Sequence, residues 1–308
     1  MSNKENFEIE SKKINKQEKF KAKLEKESIE ARKLSIEKIQ SKVITKNTPF
    51  EISESYKSIR TNIMFSLKNE ENCKSLIITS ANPSEGKSTN CVNLSISFAQ
   101  TGSKVVIIDA DMRKPRVHKY FGLKNKVGLS NILGGFSTIE DAIIKAEEYP
   151  LDVITAGHIP PNPAELLASK EMDMLIEKLS KKYDYILFDT PPINVVTDAA
   201  LLSEKVSGVI LMVRHKASTH DTIERAIKSL ELANANIIGF VLNSVDQKVY
   251  AERYTYGMYR KKKYAYGNKY RYGGYGYGSY RYGSYGYGYG SGQAELLDID
   301  QKKDNNKQ

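Results

Sequence analysis

The stretch Leu76-Ile77-Ile78-Thr79-Ser80-Ala81-Asn82-Pro83-Ser84-Glu85-Gly86-Lys87-Ser88-Thr89 runs from an apolar strand pattern through a loop into a helical pattern over Asn90 to Gln100. Strand, loop and helix in that order bring backbone N–H groups and a helix N-terminus to one point, the arrangement that cradles phosphate. In the pattern G-x-x-x-x-G-K-[ST], Lys87 reaches the β- and γ-phosphates, Ser88 offers its hydroxyl to Mg2+, and Thr89 lies near an inner phosphate. Ala81 stands where the pattern opens with Gly. A chance Gly-Lys-Ser in a loop is the competing reading, and the flanking strand and helix argue against it.

Outward from this loop, a helical stretch from Glu51 to about Leu67 precedes a series of apolar strand candidates separated by helical patterns. The strands read as Ser75 to Ser80, Lys104 to Asp109, Leu151 to Thr155, Tyr185 to Asp189, Gly208 to Arg214 and Asn236 to Asn243. Apolar strands alternating with helices predict an α/β fold, a mostly parallel sheet with helices on both faces. Ligands of such sheets bind beyond the carboxyl ends of the strands. One strand ends Val105-Val106-Ile107-Ile108-Asp109-Ala110-Asp111-Met112-Arg113, and pleating sends Asp109 and Asp111 to one side if the extended conformation persists. Another ends Tyr185-Ile186-Leu187-Phe188-Asp189-Thr190-Pro191-Pro192, with a single carboxylate where Mg2+ is held directly or through water. Capping of a turn is the alternative role for the Asp109/Asp111 pair. Asn243, closing the last strand, suits either a base contact or a turn.

The net charge of +10 looks like a nucleic-acid signal until it is divided by region. Residues 1–46 hold 13 Lys/Arg against 8 Glu, residues 47–249 hold 23 against 24 acids, residues 250–290 hold 8 against 1, and residues 291–308 hold 3 against 4. The basicity sits in the appendages. Residues 1–46 read as a charged helical or disordered arm without a heptad, and 47–249 as the globular domain. The tract 250–290 carries 15 of the 20 tyrosines among Gly, Ser, Arg and Lys, so it lacks a core of its own and reads as a flexible tail, with 291–308 a disordered C-terminus. A Gly-rich coil of about 40 residues has a root-mean-square span near 35 Å, comparable with the diameter of a domain. Cys73 and Cys91 provide neither a disulfide framework nor paired metal-ligand spacing, and the apolar runs fall far short of the roughly 20 residues of a spanning helix. A cytoplasmic protein is expected, without a membrane span or signal segment. His118, His158, His215 and His220 show no ligand spacing, so no zinc site is expected.

Taken together, residues 50–246 resemble the bacterial tyrosine kinases, which are built on the fold of the deviant-Walker partition and septum-positioning ATPases. The resemblance rests on the P-loop with Glu85 before Gly86-Lys87, on Asp109-x-Asp111-x-Arg113 followed by Lys114-Pro115, and on Phe188-Asp189-Thr190-Pro191-Pro192. It extends to Pro160-Pro161-Asn162-Pro163-Ala164-Glu165-Leu166-Leu167 and to the C-terminal tyrosines.

The resemblance implies an ATP- and Mg2+-dependent protein-tyrosine kinase that autophosphorylates its tail and regulates capsule or exopolysaccharide synthesis. It makes Lys87 the phosphate ligand and Ser88, Asp111 and Asp189 the Mg2+ shell. Asp109 becomes the acceptor of the tyrosine proton, and Arg113 steadies the carboxylates or transition-state charge. Glu85, Gly86, Thr89 and Asn243 complete the nucleotide site. The similar Gram-positive kinases imply a separate transmembrane activator, of the chain-length regulator type, that recruits the kinase to the inner face of the membrane. A phosphotyrosine phosphatase and a ring of subunits are implied with it. The ring motif of the family, Glu-x-x-Arg-x-x-Arg, falls on Glu54, Lys57 and Arg60, where Lys57 keeps the charge but loses the bidentate fork. Helical spacing places the three on roughly one face. Two rival readings are a membrane- or nucleoid-positioning ATPase, disfavoured by a tail of tyrosines where an amphipathic helix is expected, and a Tyr/Gly/Arg nucleic-acid module. No nucleic-acid partner is expected.

Overall fold

Pleating along the central strands sorts their apolar side chains onto two faces, and each face recruits its own helices. The computed structural model describes residues 30–245 except 32, 69, 71 and 72. Within them β1 (Lys74–Ser80), β2 (Val105–Asp109), β3 (Ile143–Lys145), β4 (Asp152–Ile154), β5 (Tyr185–Asp189), β6 (Gly208–Arg214) and β7 (Ile237–Asn243) form a seven-stranded sheet in the order β3-β4-β2-β5-β1-β6-β7. Every neighbouring pair is parallel except β3 and β4. The helices are α1 (Phe50–Ser66), α2 (Lys87–Ala99), α3 (Val117–Tyr120), α4 (Leu129–Leu133), α5 (Ile139–Ala142), α6 (Pro163–Ala168), α7 (Lys170–Ser180), α8 (Asp198–Ser203) and α9 (His220–Leu232).

Leu76, Ile78, Val105, Ile107, Leu187, Ile210 and Met212 share one core with α1, α2 and α3. Their neighbours in sequence, Ile77, Val106, Ile108, Phe188, Val209 and Leu211, share the other with α4, α6, α7, α8 and α9. The expected mostly parallel sheet with helices on both faces is therefore what forms. Helix α7 presents Met172, Leu175 and Leu179 as a single buried stripe, the pattern of a helix with one wet face. Helix α2 is buried almost all round, so its Asn and Ser side chains must find partners inside the protein.

The structure departs from the sequence expectations at four places. The arm predicted over 1–46 does not end there, because Val43 and Ile44 are buried in the core beside α2, while residues 33–40 form a largely exposed helix. The three-residue strand β3 was not anticipated; it adds an antiparallel edge beyond β4. Strand β2 stops at Asp109, so the extended run does not carry through Asp111. Arg60 turns inward, its Nη1 donating to the Ser97 carbonyl at 2.6 Å, while Lys57 pairs with Glu54 at 2.7 Å. The three charges of α1 therefore do not stand together on an open face. The arm through residue 29 and the tyrosine tract 250–290 lie outside the described residues, as does 291–308.

Phe188 is fully buried beside Asp189 and packs between β5 and the helices of its face. Phe188→Ala is expected to cost about 3–5 kcal/mol in urea unfolding, the range for truncating a buried aromatic.

Candidate active site

Register brings the sequence-predicted carboxylates together. Asp109 at the end of β2 pairs with Asp189 at the end of β5, and Ile78 of β1 pairs with Asp189 on its other side. The P-loop leaves β1 at the same end of the sheet, so Lys87 at the start of α2 meets these strand ends. Lys87 Nζ donates to Asp111 Oδ2 at 3.1 Å and lies 3.9 Å from Asp189 Oδ1, with both partners buried. Burial alone would lower the Lys87 ammonium pKa, but Asp189 and Asp111 outweigh it and hold the group charged.

The carboxylates outnumber this cation. Asp109 Oδ2 accepts the N–H groups of Arg116 and Val117 at 2.9 Å each, at the start of α3, and Asp111 Oδ1 accepts the Lys114 N–H at 3.0 Å. Asp109 Oδ1 and both Asp189 oxygens are buried without a hydrogen-bond partner among the described residues. Burial pushes the Asp109 carboxyl well above the usual carboxylate range, with the Asp189 charge adding to it. Burial likewise raises Asp189, against the opposing pull of Lys87 and of the Ser88 hydroxyl. Orphaned buried carboxylate oxygens beside a P-loop hydroxyl suit a hard divalent cation. Mg2+ takes a few protein oxygens and fills the rest of its shell from water and phosphate. Among the described residues no three His, Cys, Asp or Glu side chains close into a metal cage, which is not the kind of site Mg2+ uses with nucleotides.

The P-loop itself is bent tightly, with Ser84 at φ 66° and Gly86 at φ 96°. A Cβ at Gly86 would stand 2.0 Å from Asn243 Nδ2, so glycine is required both by conformation and by space. Glu85 is buried and turns its carboxylate onto the loop: Oε2 accepts the Asn82 N–H at 2.9 Å, and Oε1 accepts the Ser218 hydroxyl. Arg214 reaches the Ser84 carbonyl at 3.2 Å. Asn243 donates to the Glu85 carbonyl at 3.0 Å, which places it over the loop. Thr89 Oγ1 lies 2.7 Å from the Tyr120 hydroxyl. Arg113 is bound elsewhere: its Nε and Nη2 donate to both oxygens of the fully buried Asp198, each at 2.9 Å. It thus ties the loop after β2 to the first turn of α8. Asp198 and Ser218 escaped the sequence reading because neither lies in a nucleotide motif. A lone Asp opening the Asp-Ala-Ala run of α8 was the available signal for the first.

Comparison with known proteins agrees with this geometry. Residues 73–238 match the AAA domain family. The tyrosine-protein kinase YwqD of Bacillus subtilis is 42% identical over 221 residues, which cover 71% of this chain and 93% of that protein. The chain belongs to the bacterial tyrosine kinase family. It is a protein-tyrosine kinase on a nucleotide-binding P-loop fold. Two solved structures are similar to it. The chimerical protein CapA2B2 is 41% identical with a TM-score of 0.62, covering 66% of this chain and 89% of that one. The kinase domain of the Escherichia coli tyrosine kinase ETK is 36% identical with a TM-score of 0.61, covering 66% and 82%. No helix of the described residues is long and apolar enough to cross a membrane.

The excess of buried negative charge in this kinase has a measurable cost. A carboxyl raised in the folded state binds its proton more tightly there than in the unfolded chain, so its contribution to stability falls as pH rises from about 4. Asp189→Asn removes that cost. Without nucleotide at pH 7.5 the variant is expected to be more stable than the wild type and to melt at a higher temperature. Calorimetry is expected to show the gap narrowing as pH is lowered toward 5.

Proposed function

We propose that this kinase transfers the γ-phosphoryl group of ATP to the tyrosines of its own C-terminal tract, in trans between subunits. The observation that carries the reading is a buried Lys87 held by Asp111 and Asp189 beside Asp109, at the mouth of a P-loop, in a chain whose tail holds 15 tyrosines. Lys87 binds the transferring phosphate. Ser88, Asp111 and Asp189 would hold Mg2+, which when bound would neutralise phosphate charge and orient the group. Asp109, with its unpartnered Oδ1, accepts the phenolic proton as the tyrosine oxygen bonds to phosphorus and the bond to the bridging oxygen of ADP breaks. A raised carboxyl pKa brings that acceptor closer to its task. Arg113 acts at one remove, by fixing the loop that carries Asp111 and the start of α8. Glu85 and Asn243 shape the loop around the phosphates.

The resemblance further supports a transmembrane activator that recruits the kinase to the membrane, a phosphotyrosine phosphatase that resets it, and a role in capsule or exopolysaccharide production. It also supports a ring of subunits. Lys57 is exposed and its pair with Glu54 is a surface pair, so exchanging Glu54 for a neighbour's carboxylate costs little. Four or five phosphates, at about −1.5 to −2 charges each, would cancel the tail's excess of seven positive charges and set labelled tails repelling one another.

The test mixes a Lys87→Met chain carrying its tail with an active chain ending at Gln247, together with the activator's cytoplasmic segment. Phosphotyrosine is expected on the Lys87→Met partner only in the mixture, and the oligomer is expected to shrink as labelling proceeds. Lys87→Met protein that labels its own tail would overturn the active-site assignment. ATP hydrolysis without phosphotyrosine would favour a positioning ATPase.

A further inference from the structure

Two carbonyls of the P-loop are held from outside by side-chain amides. Asn243 Nδ2 donates to the Glu85 carbonyl, and Asn90 Nδ2 donates to the Gly86 carbonyl at 2.9 Å. The Gly86 carbonyl also accepts the first helical bond of α2, from the Asn90 N–H at 3.0 Å. In a planar trans peptide the N–H points opposite the C=O, so fixing these carbonyls aims the N–H groups of Gly86 and Lys87 the other way, as a phosphate cradle requires.

Asn90 is itself oriented. An amide offers a donor at one end and an acceptor at the other, and the Tyr56 hydroxyl donates to Asn90 Oδ1 at 3.0 Å, which commits the Nδ2 end to Gly86. The same hydroxyl accepts from Asn93 Nδ2 at 3.0 Å. Asn93 then engages the segment before α1: its Oδ1 accepts the Ile44 N–H at 3.0 Å, and its Nδ2 donates to the Lys42 carbonyl at 3.0 Å. Asn90 and Asn93 are buried, one turn apart on α2, and Ile44 is part of the core beneath them. A buried polar chain with every link made is stiff, and removing one link leaves a desolvated amide unpaired.

We propose that Tyr56 is a positioning residue of the nucleotide site. Through Asn90 it holds the Gly86 carbonyl away from the phosphates, so nucleotide affinity depends on the seating of α1 and of residues 42–44 against α2. The inference rests on the P-loop being the nucleotide site. It makes α1 a place from which anything that shifts the helix changes nucleotide affinity, and linkage requires bound nucleotide to tighten the seating of α1 by the same factor.

The test measures the Kd of a fluorescent ADP analogue with Mg2+ on the full chain. The proteins are wild type, Tyr56→Phe, Asn90→Ala, the double variant, and Tyr183→Phe as a control. Tyr183 loses the same atom and a comparable buried bond, its hydroxyl donating to Asp152 at 2.6 Å away from the P-loop. Tyr56→Phe is expected to weaken binding about three- to tenfold, the effect of one net hydrogen bond. The double variant is expected to bind as Asn90→Ala does, within about twofold, because the two residues act through one link. Tyr183→Phe is expected to keep wild-type affinity while losing thermal stability. Wild-type affinity in Tyr56→Phe, equal weakening in Tyr183→Phe, or effects that multiply in the double variant would each overturn the inference alone. Absence of ADP binding in the wild type would overturn the nucleotide reading and the inference with it.

Discussion

Three carboxylates buried at or just beyond the ends of two adjacent strands, against one lysine, set the terms for the rest of this fold. Asp109, Asp111 and Asp189 are all nearly or wholly removed from water, and Lys87 contacts only two of them. Such a cluster is unstable by itself, since like charges in a poorly polarisable interior raise one another's energy. The protein offsets part of the cost with backbone dipoles. The start of α3 gives two N–H groups to Asp109, and the Lys114 N–H goes to Asp111. Asp189 receives no backbone N–H among the described residues, and the groups that act on it are the Lys87 ammonium 3.9 Å away and the Ser88 hydroxyl.

A site built this way must be rigid, because carboxylates left unpartnered in a yielding structure would turn toward water. The surrounding sheet supplies that rigidity. Asp189 sits in β5 between β1 and β2, with buried apolar side chains on both faces, so its backbone has neighbours on both sides along the ladder. The loops beyond the strands lack such neighbours and are tied down individually. Arg113 grips Asp198 with two bonds, Glu85 grips Asn82 and Ser218, and Asn243 closes over Glu85. Apart from the local Glu85–Asn82 bond, each tie joins segments far apart in the chain, which is how a strained P-loop with two residues at positive φ persists.

That division explains what could be read from the sequence. Tyr185–Asp189 and Gly208–Arg214 match their expected strands end for end, and β1, β2 and β7 fall within a residue of theirs, because apolar runs bounded by polar turns leave little choice. Lys87, Ser88, Asp109, Asp111 and Asp189 stood out in the sequence because a phosphate loop and strand-end carboxylates impose local spacing, and the fold brings them together. Arg113 was legible as a residue but not in its contact, because Asp198 stands 85 positions away and no local pattern links them. Tyr56, Asn90 and Asn93 were silent for the same reason: an Asn at two successive turns of a helix becomes informative only once the helix is known to be buried all round. The start of the packed body was misjudged because Val43 and Ile44 are two apolar residues in a charged context, and burial of so short a segment depends on Asn93 waiting for it.

The same geometry bears on how a tyrosine would be chosen. A cavity of about 630 Å3 lies among Lys104, Val105, Leu151, Asp152, Lys182 and Tyr183, at the amino ends of β2, β4 and β5. Strand ends are separated by the length of the strand, about 3.3 Å per residue, so this cavity is on the far edge from Asp109 and Asp189 and cannot present an acceptor to them. Under the proposed transfer between subunits, selection does not require a deep pocket for the side chain. Fifteen tyrosines in one tract would then keep an acceptor near a neighbouring site at high effective concentration, and a Gly-rich context would offer little to recognise beyond the phenol. The specificity of such an enzyme then resides in what holds two copies side by side. A P-loop whose Gly86 carbonyl is linked to α1 through Asn90 would place that decision next to the nucleotide, since the helix expected at the subunit contact also carries the Tyr56 hydroxyl that holds Asn90.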